Sequence, residues 1–165
     1  MRKVSAIVVF ALAAILVSCE GKSGDADKKA DNISTTYSSD VEKLGKLINL
    51  KKYNPTEVTF KHTVIDNSGE KDRVSVPGPS DYSLQAVLYF DSATFESMLD
   101  VSRKSNYTPT DYSQEDFQFD FLSKEISEEL DRSNKNYHGL PDLFFGSGGS
   151  IWMLDKKVLL LSSSR

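Results

Sequence analysis

Enzyme chemistry needs nucleophiles, proton carriers or metal ligands; in this chain of 165 residues serines and carboxylates are plentiful, but histidine and cysteine are scarce. It holds two histidines, His62 and His138, and one cysteine, Cys19. His62 falls on the apolar side of an alternating stretch, where a core histidine hydrogen-bonded to a neighbour is the ordinary occupant. His138, in Asn136-Tyr137-His138-Gly139, lies in a loop and is freer to act as a general acid or base. No HExxH or other paired-histidine spacing is present, so zinc has no visible ligand set, and no cofactor is implied.

Other candidates fail on context. Gly146-Ser147-Gly148 looks like part of a nucleophile elbow or a phosphate loop, but both need a helix next and here a strand follows. A glycine hinge is the plain alternative. Asp66-Asn67-Ser68-Gly69-Glu70-Lys71-Asp72 places oxygens at alternating positions, as a calcium loop does. Its glycine is fourth rather than sixth and its twelfth residue is Pro77, which excludes an EF-hand and leaves a hairpin tip. Asp111, Glu115, Asp116 and Asp120 gather before an expected helix, where carboxylates suit the positive end of the dipole. Glu125, Glu128, Glu129 and Asp131 extend that acidity as a solvated face. Tyr137, His138, Phe144, Phe145 and Trp152 crowd among glycines and Pro141; they form either a recognition surface or a plug for the end of a sheet.

These residues need a scaffold, and the patterning supplies one. Ser39-Asp40-Val41-Glu42 is a capping box, and Val41, Leu44, Leu47 and Ile48 share a helical face, so a helix is expected over 40–48, weakened by Gly45. Val58, Phe60, His62 and Val64 alternate with Thr59, Lys61 and Thr63, as in a half-buried strand. Asn67-Ser68-Gly69 is turn chemistry, so 57–76 reads as a hairpin returning through Arg73-Val74-Ser75-Val76. Residues 82–90 and 158–161 are apolar on both sides, as central strands are. Asp91 or Ser92 caps a helix whose inner face is Phe95, Met98, Leu99 and Ser102. Phe119, Leu122, Ile126 and Leu130 predict a helix over 118–132, which leaves Phe117 and Phe121 unexplained. Residues 151–154 complete about five strands, mostly antiparallel, covered by about three helices in an α+β sandwich.

The first 20 residues carry a different signal. Arg2 and Lys3 precede an unbroken apolar run of 12 residues, Ala6 to Val17, which is short for a membrane span of ~20 residues. A charged start, a short apolar middle and the small Ser18 read as a secretory signal peptide. Leu16-Val17-Ser18-Cys19 resembles the lipobox of bacterial lipoproteins. The resemblance implies diacylglyceryl attachment to the Cys19 sulfur, cleavage before that residue and acylation of the new amino end. One acyl chain holds a protein marginally and two or more hold it stably. Glu20, where inner-membrane lipoproteins of Gram-negative cells carry Asp, leans the expectation toward the outer membrane.

The expected organisation is a signal peptide over 1–18, a lipidated Cys19 with a flexible tether to 37, and one globular domain over 38–165. The tether EGKSGDADKKADNISTTY is too polar to bury a core. Removing Arg2 and Lys3 leaves the remainder two units more negative than the whole chain's −4. That balance disfavours nucleic acid and suits a basic protein partner. The expected role is a lipid-anchored, membrane-attached protein of the bacterial cell envelope that binds or supports rather than catalyses. An immunity-like or inhibitor-like protein acting on a basic partner is one variant. An envelope hydrolase built on His138 and carboxylates of 111–120 is the rival, and it requires those groups to converge in three dimensions.

Overall fold

The computed structural model describes residues 32–66, 80–105, 107, 112–134, 138–145 and 148–164. Five strands, β1 (Ile33–Ser38), β2 (Glu57–Ile65), β3 (Asp81–Tyr89), β4 (Gly149–Leu154) and β5 (Lys157–Ser163), make one sheet in the order β1-β2-β3-β5-β4. Every neighbouring pair is antiparallel. Three α-helices, α1 (Val41–Leu44), α2 (Ser92–Lys104) and α3 (Lys124–Arg132), and the 3-10 turns Gln114–Phe117 and Pro141–Leu143 complete the described elements of an α+β fold.

Both faces of the sheet are covered, and strand alternation sorts side chains between two cores. Val58, Phe60, Leu84, Leu88, Val158, Leu160, Ile151 and Met153 point to one face. There they pack under Leu44, Ile48, Tyr53, α2 and Phe144. Val87, Leu159, Trp152 and Leu154 point to the other face, under Phe117, Phe119, Ile126 and Leu130. β3 and β5 are central and feed both cores, which is why their sequences are apolar on both sides.

Several expectations change. Residues 33–37, expected as the end of the tether, form most of β1, which pairs with β2 from Ile33↔Ile65 to Ser38↔Phe60. A polar strand at an edge carries no core signal, so composition alone hides it. β2 pairs with β3, and the expected return strand 73–76 lies outside the described residues. The first helix is only Val41–Leu44, capped by Asp40, whose carboxylate accepts from Glu42 N (2.9 Å) and Lys43 N (3.1 Å). Leu47 falls beyond it and is exposed. α2 begins where expected: the Asp91 carboxylate accepts from Thr94 N (2.9 Å) and Thr94 Oγ1 (2.7 Å).

The largest change is before α3. The helix starts at Lys124, with Ser123 as N-cap, not at 118. Residues Gln114–Phe117 are a 3-10 turn closed by Ser113 N donating to Asp116 Oδ2 at 2.7 Å. From the turn's last residue onward Phe117, Phe119 and Phe121 alternate, and the first two are buried. Their rings continue a row across the sheet: Trp152–Phe117 5.5 Å, Phe117–Phe119 6.1 Å, Phe119–Phe121 5.5 Å and Phe121–Tyr37 6.3 Å between centroids. Aromatic packing, rather than a helical repeat, fixes this segment.

Candidate functional site

Because α2 covers one face and α3 the other, the chain crosses between faces beside β4. A groove of about 850 Å³ lies there. Its apolar lining comes from Phe95 and Leu99 of α2 and Met153 and Leu154 of β4. Its polar lining is Glu96, Ser102 and Arg103 of α2, Glu129 and Arg132 of α3, His138 and Asp155.

The groups around this groove are extensively tied. Glu129 pins α3 to the β4–β5 turn: Oε1 accepts from Asp155 N at 2.6 Å and Oε2 faces Lys157 Nζ at 2.9 Å. That turn is tight, with Lys156 at φ 53°. Ser102 Oγ accepts from Leu140 N at 3.3 Å and lies 3.7 Å from Met153 Sδ. Trp152 Nε1 donates to Ser133 Oγ at 2.8 Å, and Ser133 Oγ donates to the Leu130 carbonyl at 2.5 Å.

His138 reaches the groove from a short bridge to β4, in which Gly139 N donates to the Ile151 carbonyl at 3.1 Å. Gly139 allows that approach: a Cβ there would stand 2.7 Å from Ile151 Cδ1 and Met153 Sδ. The imidazole meets the Trp152 ring edge-on at 4.5 Å between centroids. Burial pushes its pKa below the ordinary value of 6.5, and a hydrogen bond to the Tyr112 backbone opposes that shift in part. At neutral pH the ring is therefore uncharged. Among the described residues no carboxylate bonds to it. Asp116 is spent on its own turn, and Asp120 accepts from Lys61 Nζ (2.6 Å) and Tyr37 Oη (3.0 Å). That bonding holds the Asp120 carboxyl below its usual range and raises Lys61. Glu115 is exposed, and Asp111 lies outside the described residues. The convergence of His138 with carboxylates of 111–120 is not what these bonds describe; the carboxylates lining the groove are Glu96, Glu129 and Asp155.

The aromatic cluster divides in the same way. Phe144 and Trp152 are buried in different cores on opposite faces, so they plug the sheet and do not share a surface. Phe145 is half-buried, and its ring would clash with a Cβ on Gly149 at 2.5 Å. Of the four described members of this set only His138 lines the groove; the fifth, Tyr137, lies outside the described residues. His62 is half-buried beside a second hollow of about 420 Å³, with Lys46, Leu47, Val64, Tyr82 and Phe145. Its neighbour there is the Tyr82 ring, 6.3 Å away between centroids. Patterning missed Leu99, Arg103 and Arg132 as lining residues, because the groove is assembled from several elements. Cys19 lies outside the described residues, as do 20–31. No described helix is long and apolar enough to cross a membrane.

No family model matches this chain, and no curated protein or solved structure matches it either.

Proposed function

We propose that this protein is a lipid-anchored protein of the bacterial cell envelope whose folded domain binds a partner protein at the groove between α2 and α3. The anchor reading rests on Arg2, Lys3, the 6–17 apolar run and Leu16-Val17-Ser18-Cys19. Lipid on Cys19 holds the chain at a membrane without a protein span, and Glu20 directs it to the outer membrane of a Gram-negative host.

The observation that carries the binding reading is the groove. Its apolar lining of Phe95, Leu99 and Met153 sits beside Arg103, Arg132, Glu96 and Asp155, which suits an apolar anchor residue flanked by charged ones. Exposed Glu125, Glu128 and Asp131 on α3 add a negative face, so a basic partner is favoured by charge. The edge-on packing of His138 against Trp152 and the commitment of Glu129 to Asp155 N and Lys157 support recognition over proton transfer.

The test is capture from envelope extract by the full-length chain in mild detergent, at low and high salt. Wild type retains a partner at low salt and less at high salt, while Glu96→Arg, which reverses a charge at an exposed position of the groove, loses it with its melting temperature kept near wild type. Absence of a partner at both salts, or capture indifferent to Glu96→Arg, contradicts the reading.

A further inference from the structure

The two edges of the sheet differ. The outer side of β4 is partly occupied by 138–140, through the His138↔Trp152 bridge and the Gly139-to-Ile151 hydrogen bond. β1 heads the strand order, and among the described residues nothing pairs with its outer side. Its sequence is ISTTYS, without the lysine, proline or inward charge that commonly blocks an exposed edge.

The register shows which backbone groups face outward. Asp66 N donates to the Asn32 carbonyl at 2.8 Å, which makes Asn32–Asp66 a hydrogen-bonded pair. Such pairs alternate along an antiparallel ladder, so Ser34, Thr36 and Ser38 turn their backbone toward β2. Ile33, Thr35 and Tyr37 turn theirs outward. The side chains of these three residues also share one face of the sheet. Ile33 and Tyr37 are each 55% exposed, with the Tyr37 hydroxyl donating to Asp120 and its ring edge against Phe121. They stand symmetrically about Thr35, two residues to either side.

That symmetry identifies the occupant. We propose that β1 is a homodimerisation edge. A second copy pairs β1 to β1, antiparallel, about a two-fold axis through Thr35. The outward N–H and C=O groups of Ile33, Thr35 and Tyr37 are then satisfied by the same groups of the partner. Ile33 lies directly opposite Tyr37 of the second copy, and Tyr37 opposite its Ile33, the aromatic–β-branched pairing that stabilises cross-strand neighbours. Ile65, 39% exposed beside Ile33 on β2, widens the covered patch. The interface is isologous and closes at two copies. A strand of unrelated sequence would satisfy the backbone but would gain the two apolar pairs only by matching this spacing.

The test uses the full-length chain in mild detergent, followed by sedimentation velocity at rising concentration. Dimers are expected, and Thr35→Pro returns them to monomers. The proline removes an outward N–H and leaves the β1–β2 backbone bonds in place, giving up the exposed Thr35 Oγ1–Thr63 Oγ1 contact of 3.1 Å between the two strands. Thr35→Cys is expected to form a disulfide-linked dimer on mild oxidation, while Asp142→Cys and the wild type, whose sole cysteine is Cys19, do not. Should Thr35→Pro disturb the fold by circular dichroism, Ile33→Lys at an exposed position replaces it. That variant weakens dimerisation roughly tenfold, since two symmetric pairs are lost together. A monomer at every concentration, or a dimer that survives these edge variants and does not cross-link at residue 35, overturns the proposal.

Discussion

At the scale of single residues, His138 is the most informative side chain. It is the one histidine at the groove, and its surroundings work against its charge. Burial against Trp152 lowers its pKa, so the folded state binds its proton less readily than the unfolded chain does. Stability from this group is therefore complete above the unfolded value of 6.5 and is lost as pH falls below it toward the folded pKa. Asp91 and Asp120, whose pKa values are also lowered, add loss in the same direction only as pH falls below their ordinary 3.8. Urea unfolding against pH is expected to show a decline beginning near 6.5, and His138→Gln is expected to flatten that part of the curve. An imidazole titration followed by NMR is expected to place the midpoint below the ordinary value of 6.5. A midpoint above 6.5 contradicts the buried, neutral ring.

At the scale of elements, the segment before α3 shows what patterning captures and what it misses. Phe119, Leu122, Ile126 and Leu130 fit a helical repeat, yet only Ile126 and Leu130 are in α3. The shorter alternation Phe117-Gln118-Phe119-Asp120-Phe121 is the one that decides burial there. Phe117 is fully buried between Trp152 and Phe119, so Phe117→Ala is expected to cost about 3–5 kcal/mol. Phe121 is half-buried, so Phe121→Ala costs roughly 1 kcal/mol. Urea midpoints at fixed m-value check the contrast; equal losses contradict the buried aromatic row. The central strands β3 and β5 were legible because core residues on both faces leave a doubly apolar sequence. β1 was not, because an exposed edge strand is polar and short. Nor was the groove: Leu99 reads as an ordinary helix residue, and only the fold places it beside Arg132 and Met153. The plug alternative rests on the apolarity of Phe144 and Phe145; Phe144 is buried and Phe145 half-buried.

At the scale of the whole molecule, the folded unit begins by Ile33, earlier than composition suggests. Thirteen residues separate it from Cys19, a reach of at most about 45 Å if extended. On the proposed lipid anchor at Cys19, such a spacing lets an acidic domain meet partners near a membrane. The groove and the β1 edge lie at opposite ends of the strand order, so partner binding and self-pairing are compatible. Everything in this picture that concerns place in the cell depends on Cys19. The direct measurement is metabolic labelling with a fatty acid, followed by membrane fractionation of wild type and Cys19→Ala. A lipid anchor predicts labelled, membrane-bound wild type and an unlabelled Cys19→Ala chain released from membranes. Unlabelled wild type, or label that persists in Cys19→Ala, would contradict it.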